Sequence, residues 1–212
     1  MKQPILRTER LILRAPKISD WKDIVEGLKD EETVKYMSVG HPYKKKDAYS
    51  WLNMELKVQK MKERESYHFL IELKSEKKVI GCISLGGIKK IDRLAKTGSW
   101  INREYQKRGY MTEAKIAANE FAFNKLKLRK LTSPVITVNT ASNATQKRMG
   151  YKIEGVLRKE LVGRVDKKIY DENLYGLMKE DWKKNLPKLK KHLKNKIKKL
   201  DKKENKKWKK YI

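Results

Sequence analysis

The chain has 212 residues, with 54 lysines and arginines against 26 acidic residues and a formal charge of +28. That length suits one domain, or one domain with an appendage. The charge favours polyanionic neighbours such as RNA, anionic membrane or acidic proteins, and it excludes no fold. A single cysteine, Cys82, excludes an internal disulfide and cannot by itself build a zinc site. Met1-Lys2-Gln3-Pro4 has no signal-peptide apolar region and no run approaches membrane-spanning length, so a soluble, cytoplasmic protein is expected.

In chain order, Arg10–Arg14 reads as a first strand ended by Pro16. Ser19 is placed to cap a helix whose Trp21, Ile24, Val25 and Leu28 share a face, and Asp47 to cap a second helix with Trp51, Leu52 and Leu56. Tyr67–Leu73 and Val79–Leu85 form a hairpin, with Cys82 a small core residue rather than a nucleophile, and Gly86-Gly87 ends the second strand. Trp100-Ile101 belongs to a further strand. A helix of about 16 residues, in the ordinary length range, follows Gly109, with Ala114, Ala117, Ala118, Phe121 and Ala122 inward. Leu131–Val138 is the next strand, and its Pro134 argues for an edge or for interrupted pairing. A short helix over 142–149, ended by Gly150, precedes a hairpin of Tyr151–Val162 and Ile169–Met178. The order predicts one mixed α/β domain over 1–182. Residues 183–212 hold 15 lysines and net +13, with Leu186, Leu189, Leu193, Ile197 and Leu200 as an apolar seam and Pro187 in a first helical turn. Such a basic amphipathic helix fits RNA, an anionic membrane surface, a partner helix or its own domain. Its last residues, around Trp208, read as frayed.

The stretch Gln106-Lys107-Arg108-Gly109-Tyr110-Met111 joins a strand to a helix. Gly109 permits a tight turn where the first helical N–H groups are unpaired, and those donors with the helix dipole suit a phosphate.

Four segments in register carry a resemblance. Ile5–Arg14 resembles the opening strand of the ribosomal-protein serine/alanine N-acetyltransferase branch of the GNAT superfamily. Trp100–Ala114 resembles its acetyl-CoA signature, which begins at Gln106; Asn139-Thr140-Ala141-Ser142 is similar to its Asn-x-x-Ser element; Asp171–Gly176 resembles its closing strand. The likeness covers about residues 5–182. It implies a mostly antiparallel α/β sheet with splayed middle strands, flanked by helices. It also implies that acetyl-CoA is the cosubstrate, that no metal takes part, and that an amine attacks the thioester directly. In that scheme the pantetheine arm lies between the strands of Trp100 and Val135, and Ile101, Asn102 and Gln106 border it. Backbone N–H groups from Lys107 through Arg108, Gly109 and Tyr110 to Met111 cradle the pyrophosphate, Asn139 and Ser142 hold the pantetheine end, and Lys147 or Arg148 meets the adenosine 3′-phosphate. Ser142 protonates the leaving thiolate and Glu160 takes the amine proton, with Glu104 a weaker competitor. Met111 stands where the signature prefers Gly or Ala, and Gln146 where many GNAT enzymes carry a tyrosine acid.

The acceptor is expected to be a protein N-terminus: an α-amine, with pKa about 8 against about 10.4 for lysine, needs only a weakly tuned base. A basic tail would favour RNA-rich ribosomal assemblies. A polyamine or antibiotic acceptor, or a non-catalytic acetyl-CoA-binding, RNA-associated module, are the alternatives.

Overall fold

The computed structural model describes residues 3–208, apart from the side chains of 201 and 203–208. Strands β1 (Leu6–Arg7), β2 (Leu11–Arg14), β3 (Tyr67–Leu73), β4 (Lys78–Lys89), β5 (Leu94–Ile101), β6 (Lys130–Ile136), β7 (Lys152–Val162) and β8 (Ile169–Met178) form one sheet in the order β1-β2-β3-β4-β5-β6-β8-β7. Every pairing is antiparallel except β5 with β6. Helices α1 (Trp21–Leu28), α2 (Glu31–Val34) and α3 (Lys45–Lys60) lie between β2 and β3, and α4 (Tyr110–Glu120) links β5 to β6. α5 (Thr140–Met149) follows β6, and α6 (Lys179–Trp208) leaves β8 directly.

Alternation along the strands divides the core in two. Leu11, Leu13, Phe69, Ile71, Ala95, Leu131, Val135, Tyr175 and Leu177 pack on the α4 side, with Phe121, Phe123 and Trp182. Leu70, Val79 and Cys82 face α1 and α3 through Ile24, Leu28 and Leu52. Each such large apolar side chain contributes about 1.5–3 kcal/mol on full burial. Cys82 is buried, and loss of solvent pushes its thiol well above the usual range, which fits a core residue.

Several local expectations change. Ile18–Asp20 is a 3₁₀ turn, and the N-cap of α1 is Asp20 rather than Ser19; the Asp20 carboxylate accepts the Lys17 N–H and pairs with Arg14. Asp47 sits in the first turn of α3 and accepts from the Lys44 N–H. β4 does not end at Gly86-Gly87 but continues to Lys89 through a register shift, with Gly87 at φ +56°. α4 closes in a π turn over Phe121–Lys125, which completes the 16-residue helix read from the sequence. Pro187 lies inside α6: the helix starts eight residues earlier, with Glu180 and Asp181 in its first turn. The apolar seam of α6 packs on the domain itself, Leu189 and Ile197 being buried and Leu186 and Leu193 packed against the core, while Lys183, Lys184, Lys188, Lys190, Lys191, Lys194, Lys198, Lys199 and Lys202 face solvent and Lys196 is half-buried. The frayed end around Trp208 falls at the limit of the described residues, and 209–212 lie outside them.

Candidate active site

β5 and β6 run side by side for only three residue pairs, Leu94–Lys96 with Lys130–Thr132. At the fork the Thr97 hydroxyl donates to the Thr132 carbonyl (3.4 Å) and the Ser133 hydroxyl to the Thr97 carbonyl (3.3 Å). Beyond it β5 pairs with β4 alone and β6 with β8 alone. Pro134 lies on the unpaired stretch of β6, so its missing N–H costs no ladder bond to β5. Its position is interior to the sheet, and interrupted pairing is the reading that applies. The fork is lined by buried polar groups: Gln146 Nε2 donates to Ser133 Oγ (2.7 Å), and the Tyr151 hydroxyl meets the Thr97 hydroxyl (3.3 Å). Gln146 Oε1 and Asn119 Nδ2 remain buried without partners, one acceptor and one donor.

At the open end of β5, Asn102 Oδ1 accepts from Glu104 N–H and caps a 3₁₀ turn over Arg103–Tyr105, while Ile101 is half-buried. Gln106 donates to the Ile101 carbonyl (3.3 Å), and Glu104 is exposed. Lys107 (φ +60°) and Gly109 (φ +86°) both take left-handed backbone, and Gly109 is the N-cap of α4. No side chain caps the first turn, which leaves its N–H groups facing the turn. Met111 packs on the core beneath the turn rather than crowding it. The turn is fixed from outside by Arg10, whose Nη1 donates to the Arg108 carbonyl (3.1 Å) and whose guanidinium covers the Tyr110 ring at 4.3 Å. Arg10 in turn is held by Glu113, buried in the first turn of α4, which also accepts from the Arg10 N–H and the Thr8 hydroxyl.

Asn139 is the N-cap of α5, its Oδ1 accepting from Ser142 N–H (3.1 Å). Asn143 staples the same turn to the sheet. Its Nδ2 donates to the carbonyls of Ile136, Thr137 and Asn139, and its Oδ1 accepts from Asn173 Nδ2 and the Tyr175 hydroxyl. The Ser142 side chain is thereby held, half-exposed, just past the end of β6, with Lys147 and Arg148 exposed further along α5.

Across the fork, the face opposite α4 is open. Register puts Lys96, Thr132, Pro134, Ile136, Glu172, Leu174 and Leu157 on it. Glu172, opposite Ile136 at the end of β6, is half-buried, and its carboxyl is raised above the ordinary range by burial first and by the nearby Glu160 second, with Lys96 opposing. Glu160 itself is exposed, where β7 bulges between Leu157 and Leu161 and Lys159 takes φ +52°. Val156–Glu160 line an open groove. The β7–β8 hairpin reaches back to the turn after α2, where Tyr170 meets Tyr36 edge to face at 5.9 Å.

A fork between parallel strands, with an uncapped helix start at its mouth, agrees with the matches to known proteins. Residues 10–152 match the family described as the acetyltransferase (GNAT) domain. The chain belongs to the GNAT acetyltransferase family. YoaA, an uncharacterized N-acetyltransferase of Bacillus subtilis (strain 168), is 28% identical over 176 residues, which cover 83% of this chain and 97% of YoaA. The putative ribosomal N-acetyltransferase YdaF of the same organism is 31% identical over 102 residues, 48% of this chain and 55% of YdaF. The ribosomal-protein-S5-alanine acetyltransferase from Vibrio fischeri superposes with a TM-score of 0.73 at 20% identity, over 85% of this chain and 99% of that one. The microcin C7 self-immunity acetyltransferase MccE, solved with acetyl-CoA and AMP, has a TM-score of 0.69 at 21% identity, over 81% and 93%. This GNAT protein is an acetyl-CoA-dependent N-acetyltransferase. Its residues fit that cosubstrate: the orphaned buried amide atoms of Gln146 and Asn119 suit an amide-bearing pantetheine arm, and the Gly109 turn suits phosphate.

Sequence reasoning missed Glu172, Asn143, Asn119 and Arg10. Nothing in a run such as Asp171-Glu172-Asn173 marks which carboxylate will face the fork; the parity of β8 against β6 decides that. Among the described residues no three His, Cys, Asp or Glu side chains gather as a metal set, and no helix is long and apolar enough to cross a membrane.

Proposed function

We propose that this GNAT enzyme acetylates the α-amine of a protein N-terminus, a ribosomal protein being the favoured substrate, in the cytoplasm. The observation that carries the reading is the Glu172–Glu160 pair beside an open groove. An α-amine loses its proton near pH 8, so a carboxylate raised by burial and a like neighbour suffices as base. A groove lined along an exposed strand suits an extended peptide better than an enclosed small molecule. YdaF, a putative ribosomal N-acetyltransferase, and the Vibrio fischeri ribosomal-protein-S5-alanine acetyltransferase support the same substrate class.

Acetyl-CoA supplies an acetyl thioester that the neutral amine attacks directly. Glu172, assisted by Glu160, takes the amine proton, and the Ser142 hydroxyl gives one to the departing thiolate. Ile101, Asn102 and Gln106 border the pantetheine arm, and Asn139 holds it with Ser142. Backbone N–H groups of Lys107, Arg108, Gly109, Tyr110 and Met111 take the pyrophosphate, with Lys147 or Arg148 at the 3′-phosphate. The solvent-facing lysines of α6 add a salt-sensitive attraction to ribosomal RNA.

The test is thiol release from acetyl-CoA with peptides beginning Ser, Ala, Thr or Met, run beside spermidine. Transfer to one peptide class is the expected result. Release with spermidine alone moves the acceptor to small amines, and bound acetyl-CoA with no transfer to any of them supports a non-catalytic module instead.

A further inference from the structure

The C-terminal helix brings Leu193 and Lys196 onto the Gly109 turn, which its apolar seam alone does not reveal. α6 first passes α5, where Asn185 Nδ2 donates to the Arg148 carbonyl (3.0 Å). Lys190 pairs with Glu120 at the C-terminal end of α4 (3.0 Å), while Leu193 and Lys196 reach Gly109 at its N-terminal end. There Leu193 Cδ1 lies 3.2 Å, Arg10 Nη2 3.4 Å and Lys196 Cδ 3.5 Å from the point a Gly109 Cβ would occupy. A Cβ at 109 would crowd Leu193 and touch Arg10 and Lys196 at ordinary contact distance, in a backbone conformation that already favours glycine.

The charges at this spot do not balance. Lys196 is partly buried, and its ammonium is pushed below the usual lysine value by burial first and then by Arg148 and Arg10. The carboxylates within reach are engaged: Glu113 by Arg10 and Thr8, and Glu120 by Lys190. Among the described residues Lys196 and Arg148 have no acidic partner. Lys196, partly buried, and Arg148, exposed, lie beside the Glu113-paired Arg10 with no carboxylate left over for them, and an anion turns their mutual repulsion into attraction.

We propose that α6 completes the cosubstrate site: Lys196, with Arg148 and Arg10, receives a phosphate group of acetyl-CoA over the Gly109 turn, and Leu193 packs over the glycine. The proposal rests on the acetyl-CoA reading above and adds to it a ligand from outside the GNAT-matched segment, which ends at residue 152. It also assigns the tail a task at the active site in addition to any attraction for RNA.

Affinity measured by isothermal titration tests it, using CoA, 3′-dephospho-CoA and pantetheine with the full chain, Lys196→Gln and Lys196→Glu. Circular-dichroism melts accompany each variant to verify folding. The expected result is a loss of CoA affinity of roughly tenfold for Lys196→Gln, with a larger loss for Lys196→Glu and none for pantetheine. If 3′-dephospho-CoA suffers the same loss as CoA, the pyrophosphate is the group held; if it is spared, the 3′-phosphate is. Unchanged or tighter CoA binding by a folded Lys196→Glu overturns the proposal, since α6 would then be neutral or an obstruction. Failure of the parent chain to bind CoA overturns the acetyl-CoA reading and this proposal together, a result distinct from failure of the Lys196 variants alone.

Discussion

The two sides of the fork are built by different means. On the cosubstrate side, buried polar side chains fix backbone: Glu113 gathers Thr8 and Arg10 against the first turn of α4, and Asn143 ties α5 to β6 and β8 through five hydrogen bonds. On the proposed acceptor side, β7 is an edge strand whose Ile153, Val156 and Val162 are exposed, and its charged groups sit on a bulge in contact with solvent. Phosphate and pantetheine are the same in every turnover, so a rigid backbone cradle serves them. An acceptor differs from one enzyme to the next, and an exposed strand can change its side chains without disturbing the core.

That contrast predicts that stability and chemistry separate across the fork. The largest expected effect is on the rigid side. Glu113→Ala leaves the partly buried Arg10 without its carboxylate, and breaking such a pair costs about 3 kcal/mol or more. Chemical denaturation should register that loss, and acetyl-CoA affinity should fall with it because Arg10 also holds the Arg108 carbonyl. A stability change under about 0.5 kcal/mol, the range of an ordinary surface substitution, would mean that the cradle is not held by this contact.

On the open side, Glu172→Gln should do the reverse. It removes the proposed base while keeping shape, so kcat should drop about 100-fold, with melting temperature and acetyl-CoA affinity close to the parent. Equal activity would remove Glu172 from the mechanism. Asn143→Ala is the intermediate case. It strands three carbonyls and two donors, one of them from the buried Tyr175, and should cost about 2 kcal/mol by thermal or urea unfolding. Because the same turn carries Ser142, a smaller fall in kcat should accompany the instability, and Asn143→Asp, which keeps an acceptor for Tyr175, should recover part of both.

The rigid side was largely legible in the sequence. Gly109 after a strand and before an Ala-rich helix, Asn139 three residues before Ser142, and Pro134 in a β-rich run are local signals, and they fall at a helix start, a capped turn and an unpaired strand stretch. What could not be read were contacts whose partners are far apart in sequence. Glu113 meets Thr8 and Arg10 across more than a hundred residues, and Asn143 meets Tyr175 across 32. Glu172 was hidden for another reason: a strand shows alternation but not which face opens, and that depends on where α1 and α3 stop covering the sheet. α6 was misjudged at its start because Pro187 invites placement in a first turn, whereas Glu180 and Asp181 begin the helix straight out of β8. The apolar seam was correct, but periodicity alone could not say that it lies against its own domain.

The smallest effect sharpens the comparison most, because it asks whether the two carboxylates act on each other. Glu160 stands close enough to Glu172 for its negative charge to help raise that carboxyl, after the larger effect of burial. A base must be ionised to work, so kcat should rise with pH as Glu172 loses its proton, in the manner of a pair that titrates together. Glu160→Gln removes one negative neighbour, which lets Glu172 ionise more readily and moves the acidic limb of the profile to lower pH. The plateau should fall by about tenfold through loss of the second carboxylate's help in carrying the proton away. A limb that moves to higher pH, or that stays fixed while the plateau falls, would show that Glu160 acts on the amine by itself and that Glu172 is a bystander.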